Sequence, residues 1–199
     1  MPSTPEDDPT GASDEALMEA LRQGQDYALA PLMERWEVGM KAFLLRLGVP
    51  PSDVEDIAQE AFFRLYRSRE KYRVGASFKP WLLTIAGNLA RNRLRWKFRR
   101  REDSIQALDN DLPGGFDLED QSTPDAPTEI EKKRRVAVVR SAINALPNRL
   151  REALVYVEME DFTYRQAARI ADCSEKAIET RLYRAKQSLR STLRSLLVD

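Results

Sequence analysis

Hydrophobic positions recur at helical spacing along most of the chain and almost nowhere alternate as a half-buried strand requires. Val54, Ile57, Ala61, Phe62 and Leu65 follow the three- and four-residue steps of one helix face, predicting a helix over Asp53 to Arg69. The same pattern predicts a first helix from about Asp14 to Leu21. A second is expected from Tyr27 to Leu47, bent at Pro31 and stopped by Gly48 and the Pro50-Pro51 pair. A fourth begins near Lys79 and carries Trp81, Ile85, Leu89 and Trp96. Periodicity resumes at Thr128 with Val136, Val139, Ile143 and Leu146, and a further helix follows with Leu150, Leu154 and Val157. Ala153 to Val157 has strand-like composition but sits inside that helical pattern.

Start signals reinforce the periodicity. Ser52 with Glu55, Thr128 with Glu131, and Thr163 with Gln166 have the spacing of capping boxes, in which a hydroxyl and a longer polar side chain satisfy two early amides. Pro80 and Pro147 suit first turns, where a missing amide hydrogen costs little. Glu102 to Pro127 interrupts the pattern with aspartates, prolines and the Gly114-Gly115 pair, the composition of a linker. The expected fold class is all-α: two small helical domains joined by a flexible acidic linker. The boundaries are an acidic N-terminus over residues 1–13, a first domain over 14–101, a linker over 102–127 and a second domain over 128–199.

Within the second domain, Thr163 to Lys186 has the pattern of a helix-turn-helix. The first helix starts at the Thr163 cap, breaks near Asp172-Cys173, and a second can start with Ser174 as its cap. Ala167, Ala168 and Ala171 permit a close helix crossing, with Ile170, Ile178 and Leu182 filling the space between. Lys176, Glu179, Thr180, Arg181 and Arg184 remain as polar side chains for a major groove, where Arg reads guanine and Glu accepts from cytosine. The same residues also fit an antiparallel helix pair with a solvated charged face. Cys173 reads as a small hydrophobe rather than a redox sensor.

Charge changes this picture more than composition does. The 199 residues carry 32 basic and 32 acidic side chains, a net charge of zero. The signs are nevertheless segregated. Every charged side chain from Arg91 to Arg101 is basic, every one from Glu102 to Glu131 is acidic, and Lys132 to Arg135 are basic again. The clustered cations repel one another without an anionic partner, so phosphate contact is expected there. A single cysteine excludes an intramolecular disulfide and fits a reducing compartment. No apolar run is long enough to span a membrane, and the acidic, proline-rich start is unlike a signal peptide, so a cytoplasmic protein without membrane insertion is expected. With no histidine, no phosphate-cradling glycine loop and no metal-ligand cluster, no enzyme activity, metal or cofactor is expected.

Asp53-Val54-Glu55-Asp56-Ile57-Ala58-Gln59-Glu60-Ala61-Phe62 resembles the signature segment of bacterial sigma factors, and Phe78 to Arg91 resembles the segment that follows it. With the helix-turn-helix downstream, the order resembles the extracytoplasmic-function class, which keeps only sigma domains 2 and 4. The resemblance covers about Ala16 to Arg101 and Thr128 to Leu197. It implies that Asp53, Asp56, Gln59 and Glu60 dock on a coiled coil of the core RNA polymerase. It implies that the loop Glu70 to Ser77 takes a flipped base of the opened non-template strand at the −10 element, with Tyr72, Arg73 and Gly75 forming the pocket. Asn88, Arg91, Arg95, Trp96 and Arg99 would extend that contact along the next helix. Trp81 is expected in the core. Ser174, Lys176, Glu179, Thr180, Arg181 and Arg184 would read the −35 element as duplex promoter DNA. Family members often carry lysine where Glu179 stands, which leaves the promoter sequence open. An anti-sigma protein is an expected further partner.

The linker adds an expectation of its own. About 26 residues reach at most ~85 Å, and average only ~28 Å as a coil. Promoter elements about 17 base pairs apart are separated by ~58 Å. The linker must therefore be stretched, and its acids would lie along a basic channel of the polymerase. A free-standing helix-turn-helix regulator is the alternative; it leaves the acidic helix, the arginine-rich helix and the linker unexplained.

Overall fold

Prolines decide where several of the helices begin. In the computed structural model the backbone is described for residues 11–104 and 127–197, with side chains omitted for 98–104, 127–130 and 195–197. The acidic linker and its expected path lie outside these residues. Helix α1 (Asp14–Arg22) is capped by Ser13, whose hydroxyl accepts from the amide of Ala16. A 3-10 turn at Asp26–Ala28 leads into α2 (Leu29–Arg46). Pro31 therefore falls in the first turn of α2, where it removes no helical hydrogen bond.

Helix α3 (Pro51–Arg67) starts one residue before the expected capping serine. Pro51 takes the first helical position for which its fixed φ is preset, so Ser52 lies inside the helix. Glu55 accordingly pairs with Lys41 of α2 and accepts from Gln59 instead of closing a capping box. Helix α4 (Phe78–Ser104) carries Pro80 in its first turn, and α5 is described over Pro127–Asn144; the expected Thr128–Glu131 capping box rests on the Thr128 side chain, which lies outside the described residues. Pro147 precedes α6 (Asn148–Leu154) as its cap rather than entering it. The helix then widens into a π turn over Val155–Met159, whose closing amide, that of Glu160, donates to the carbonyl of Val155 at 3.0 Å. The strand-like run Ala153 to Val157 is thus helical. Helices α7 (Tyr164–Ala171) and α8 (Glu175–Leu197) complete the chain, and there is no strand among the described residues.

Two compact units result. The first holds α1, α3, nearly all of α2, and α4 as far as Arg99; the second holds α5 to α8. In the first, Leu21, Leu32, Phe43, Leu65, Phe78 and Leu82 are fully enclosed, each contributing about 1.5–3 kcal/mol. Trp36 packs edge-on against Phe78 with centroids 5.7 Å apart, while its indole N–H donates to Asp14 at 2.8 Å. In the second unit, Leu146, Ala153, Leu154, Leu182 and Ala185 form the core, flanked by Ile143, Leu150 and Leu189. Ala167, Ala168 and Ala171 are buried in α7, as a close helix crossing requires.

Candidate nucleic-acid interface

Helix α3 turns its apolar stripe inward and leaves Asp56 and Gln59 exposed, with Glu60 half-buried beside them. Glu60 accepts from Arg64 at 2.6 Å, one turn later. Asp53 does not share that open face: only 6% of it is exposed. Its two oxygens each accept from the Arg93 guanidinium at 2.9 Å, and Lys97 stands 2.8 Å away. The hydrogen bonds from Arg93, aided by Lys97 against the cost of burial, hold the Asp53 carboxyl far below the usual carboxylate range. The same pairing raises Arg93. Reading the four acidic-motif residues as one surface missed this, because the partner cations lie far away in sequence.

Phe63 joins the face that Asp53 leaves. It is 54% exposed, one turn from Gln59 and Glu60, and the Arg67 guanidinium lies 5.7 Å from its ring. The Phe62-Phe63 pair was the available signal, since neighbouring helical residues point about 100° apart and only one of two can enter the core.

The loop between α3 and α4 is anchored from below. Tyr72 is buried, packs edge-on against Trp81 at 5.2 Å, and donates from its hydroxyl to the carbonyl of Ala76. Burial, with Glu15, Glu19 and Asp14 nearby, raises the Tyr72 hydroxyl, which stays protonated. Tyr72 therefore supports the loop rather than lining an open pocket. Trp81 is only half-buried. The amide of Ala76 donates to the carbonyl of Arg73 at 3.0 Å, closing a tight turn around Val74 and Gly75. Gly75 sits at φ 77°, which the third residue of such a turn demands and side-chain-bearing residues resist. Arg73 is exposed, and Val74 projects with 69% exposure. At the C-terminal edge of this loop, Glu15 of α1 accepts from the amide of Phe78 at 3.0 Å and so caps α4.

Along α4, Asn88, Asn92, Arg95 and Trp96 point outward at helical spacing. Arg91, expected beside Arg95, is only 9% exposed and donates to Asn88 at 3.4 Å, while the Arg99 side chain lies outside the described residues. Trp96 is 43% exposed, and the Arg93 guanidinium lies 5.5 Å from its ring centroid. The outward row thus mixes amide donors with a cation and an aromatic face, and the latter two are the groups on which single-stranded nucleic acid is commonly bound.

In the second unit, Thr163 and Gln166 form the complete capping box at the start of α7. Asp172 ends that helix at φ 48°, taking the left-handed position that glycine often fills. Ser174 starts α8, its hydroxyl accepting from the amide of Ala177 at 3.1 Å. On α8, Lys176, Glu179, Thr180 and Arg184 are exposed and Arg181 is half-buried. Lys176 pairs with Glu179 at 2.8 Å, and the Thr180 hydroxyl donates back to the Lys176 carbonyl. Helix α7 contributes two further exposed cations, Arg165 and Arg169, with Arg165 held 3.3 Å from Glu175. These were missed because the sequence pattern directs attention to the second helix.

A family model described as Sigma-70 region 2 matches residues 32–100, and one described as Sigma-70, region 4 matches residues 137–189. The chain is 31% identical over 187 residues to the ECF RNA polymerase sigma-E factor of Haemophilus influenzae, covering 93% of this chain and 97% of that protein. It is 30% identical to the ECF RNA polymerase sigma-E factor of Escherichia coli strain K12, over 93% of this chain and 96% of the other. In fold it is similar to the sigma factor RpoE in the complex with the anti-sigma factor NepR from Bartonella quintana. The TM-score is 0.63 at 22% identity, over 81% of this chain and 94% of that one. With both sigma regions matched in order and relatives of this identity spanning nearly the whole chain, the protein belongs to the extracytoplasmic-function family of RNA polymerase sigma factors.

Proposed function

We propose that the chain binds core RNA polymerase through α3 and directs initiation by engaging −10 DNA with its first unit and −35 DNA with its second. The observation that carries this is the division of labour within the first unit. Asp56, Gln59, Glu60 and Phe63 face outward on α3, while Asn88, Asn92, Arg95 and Trp96 face outward on α4. An acidic face with an aromatic anchor suits a basic protein helix. A cationic and aromatic row suits an opened strand.

Arg73 and the Val74-Gly75 turn are the parts of the loop exposed to take a flipped base, with Tyr72 holding them from beneath. In the second unit, Lys176, Glu179, Arg181 and Arg184 read the duplex, with Ser174 and Thr180 fixing the reading helix. In the first unit, Arg91 contributes positive potential beside the outward row of α4. The protein makes no bond itself, so its contribution is binding energy and selectivity. It acts in the cytoplasm, where the polymerase is, and an anti-sigma protein covering these faces is its expected regulator. No helix among the described residues is long and apolar enough to cross a membrane.

Run-off transcription with purified core polymerase tests the reading. Promoter-specific transcripts should require both the chain and the core enzyme. Tight sequence-specific duplex binding by the chain alone, without any stimulation of core polymerase, would favour the free-standing regulator instead.

A further inference from the structure

We infer that Asp53 is a positioning residue for strand opening: through Arg93 it holds Trp96 as a stacking platform for one unpaired base. This inference rests on the sigma-factor reading and moves Asp53 from the docking face to the DNA face. Three observations meet here. Asp53 is enclosed on α3 and grips both arms of the Arg93 guanidinium at 2.9 Å. Arg93 lies with its guanidinium carbon 5.5 Å from the Trp96 ring centroid. Trp96 nevertheless keeps 43% of its surface open, in an outward row with Asn88, Asn92 and Arg95.

The chemistry follows from the spacing. Arg93 and Lys97 are one helical turn apart, and without an anion between them they would repel and move towards solvent. Asp53 cancels that repulsion, and its two-point grip removes the rotational freedom of the Arg93 fork. A fixed guanidinium beside an indole limits the rotamers the indole can take. The ring is then held in place before DNA arrives, which lowers the ordering cost of stacking a base on it. An unpaired nucleobase is the ligand class that fits, because the neighbouring groups are amide donors and a cation suited to base edges and phosphate.

The test uses holoenzyme reconstituted from the full chain and core polymerase. The probe is an oligonucleotide carrying the non-template −10 strand of a promoter the enzyme transcribes, with 2-aminopurine placed at each position in turn. Wild type should quench the fluorescence strongly at the position stacked on Trp96. Trp96→Ala should abolish that quenching and weaken oligonucleotide binding by about tenfold. Asp53→Asn and Arg93→Lys should reduce quenching at the same position while core affinity stays within about twofold of wild type. Arg93→Lys keeps the charge and loses only the fork, so a role limited to net charge or bulk stability predicts no change in it. Asp56→Asn should behave oppositely, weakening core binding while quenching in saturated holoenzyme persists.

Unchanged quenching in Arg93→Lys, or a loss of core affinity in Asp53→Asn equal to that of Asp56→Asn, would overturn the inference and leave the sigma-factor reading standing. Should Asp53→Asn fail to fold, Arg93→Lys and Trp96→Ala decide the matter. Failure of the wild-type chain to bind core polymerase would instead remove the reading on which both rest.

Discussion

Glu15 of α1 accepts a hydrogen bond at 3.0 Å from the backbone amide of Phe78, a residue 63 positions away, and thereby caps α4, the helix we propose to carry the −10 contacts. Neighbouring Asp14 holds Arg35 and the Trp36 indole of α2. Helix α1 thus acts as a brace between α2 and the start of α4. Glu15→Ala should cost about 1 kcal/mol, as loss of a side-chain cap usually does, and lower the melting temperature of the first unit by about 4–8 °C. Glu15→Gln keeps an accepting oxygen and should cost much less. Thermal unfolding and hydrogen exchange at the Phe78 amide would check both.

The Asp53 cluster predicts a pH dependence with a definite sign. Because the folded-state pKa of Asp53 is depressed, its stabilisation is complete above the ordinary carboxylate value of about 3.9 and is lost as pH falls from there through the depressed value. Asp53→Asn should therefore cost about 1–2 kcal/mol at neutral pH, a figure reduced from that of a fully buried pair because Arg93 is 38% exposed. The gap between wild type and variant should stay constant from about pH 8 to pH 5 and narrow in stronger acid. Denaturant titrations across this range would measure it.

Docking through α3 predicts a dissociation between partners. Asp56→Asn and Glu60→Gln should weaken core binding by a few-fold each, more at low salt than at high salt. Phe63→Ala should weaken it about tenfold with little salt dependence, as an apolar anchor would. Core affinity measured at two salt concentrations separates the two behaviours. Duplex −35 binding by the second unit should not change in any of the three variants.

The helix-turn-helix predicts a separation of affinity from selectivity. Arg165→Ala should lower −35 affinity evenly across sequences and reduce the salt slope by about one unit, the behaviour of a phosphate contact. Glu179→Gln should change base preference at one position, by about 1–3 kcal/mol, because a carboxylate accepts only and an amide also donates. Competition binding against a promoter library would show whether the two effects separate.

Much of this was legible in the sequence. Helical periodicity identified α1 to α6 among the described residues, and the Thr163–Gln166 box and the Ser174 cap stand where their hydroxyls and spacing placed them. Local rules failed where proline outranked serine, at Pro51. They also failed where pairing crosses the fold. The sequence pattern has no means of showing that Asp53 faces Arg93, that Glu15 caps α4, or that Tyr72 turns inward beneath its own loop. Asp172 is an intermediate case: the missing glycine was visible, but not that aspartate would hold the left-handed turn without it.

The π turn at Val155–Met159 inserts the equivalent of one extra residue between the core helix α6 and the pair α7 and α8. Removing a residue such as Val157 would let the helix close in its regular winding and rotate everything beyond it by about 100°. Under the proposed −35 reading, the outward edge of α8 would then turn away from the groove although none of the side chains proposed to contact bases had been altered. On that reading the chain length through this bulge is a setting of aim, as much a part of promoter choice as the side chains on α8.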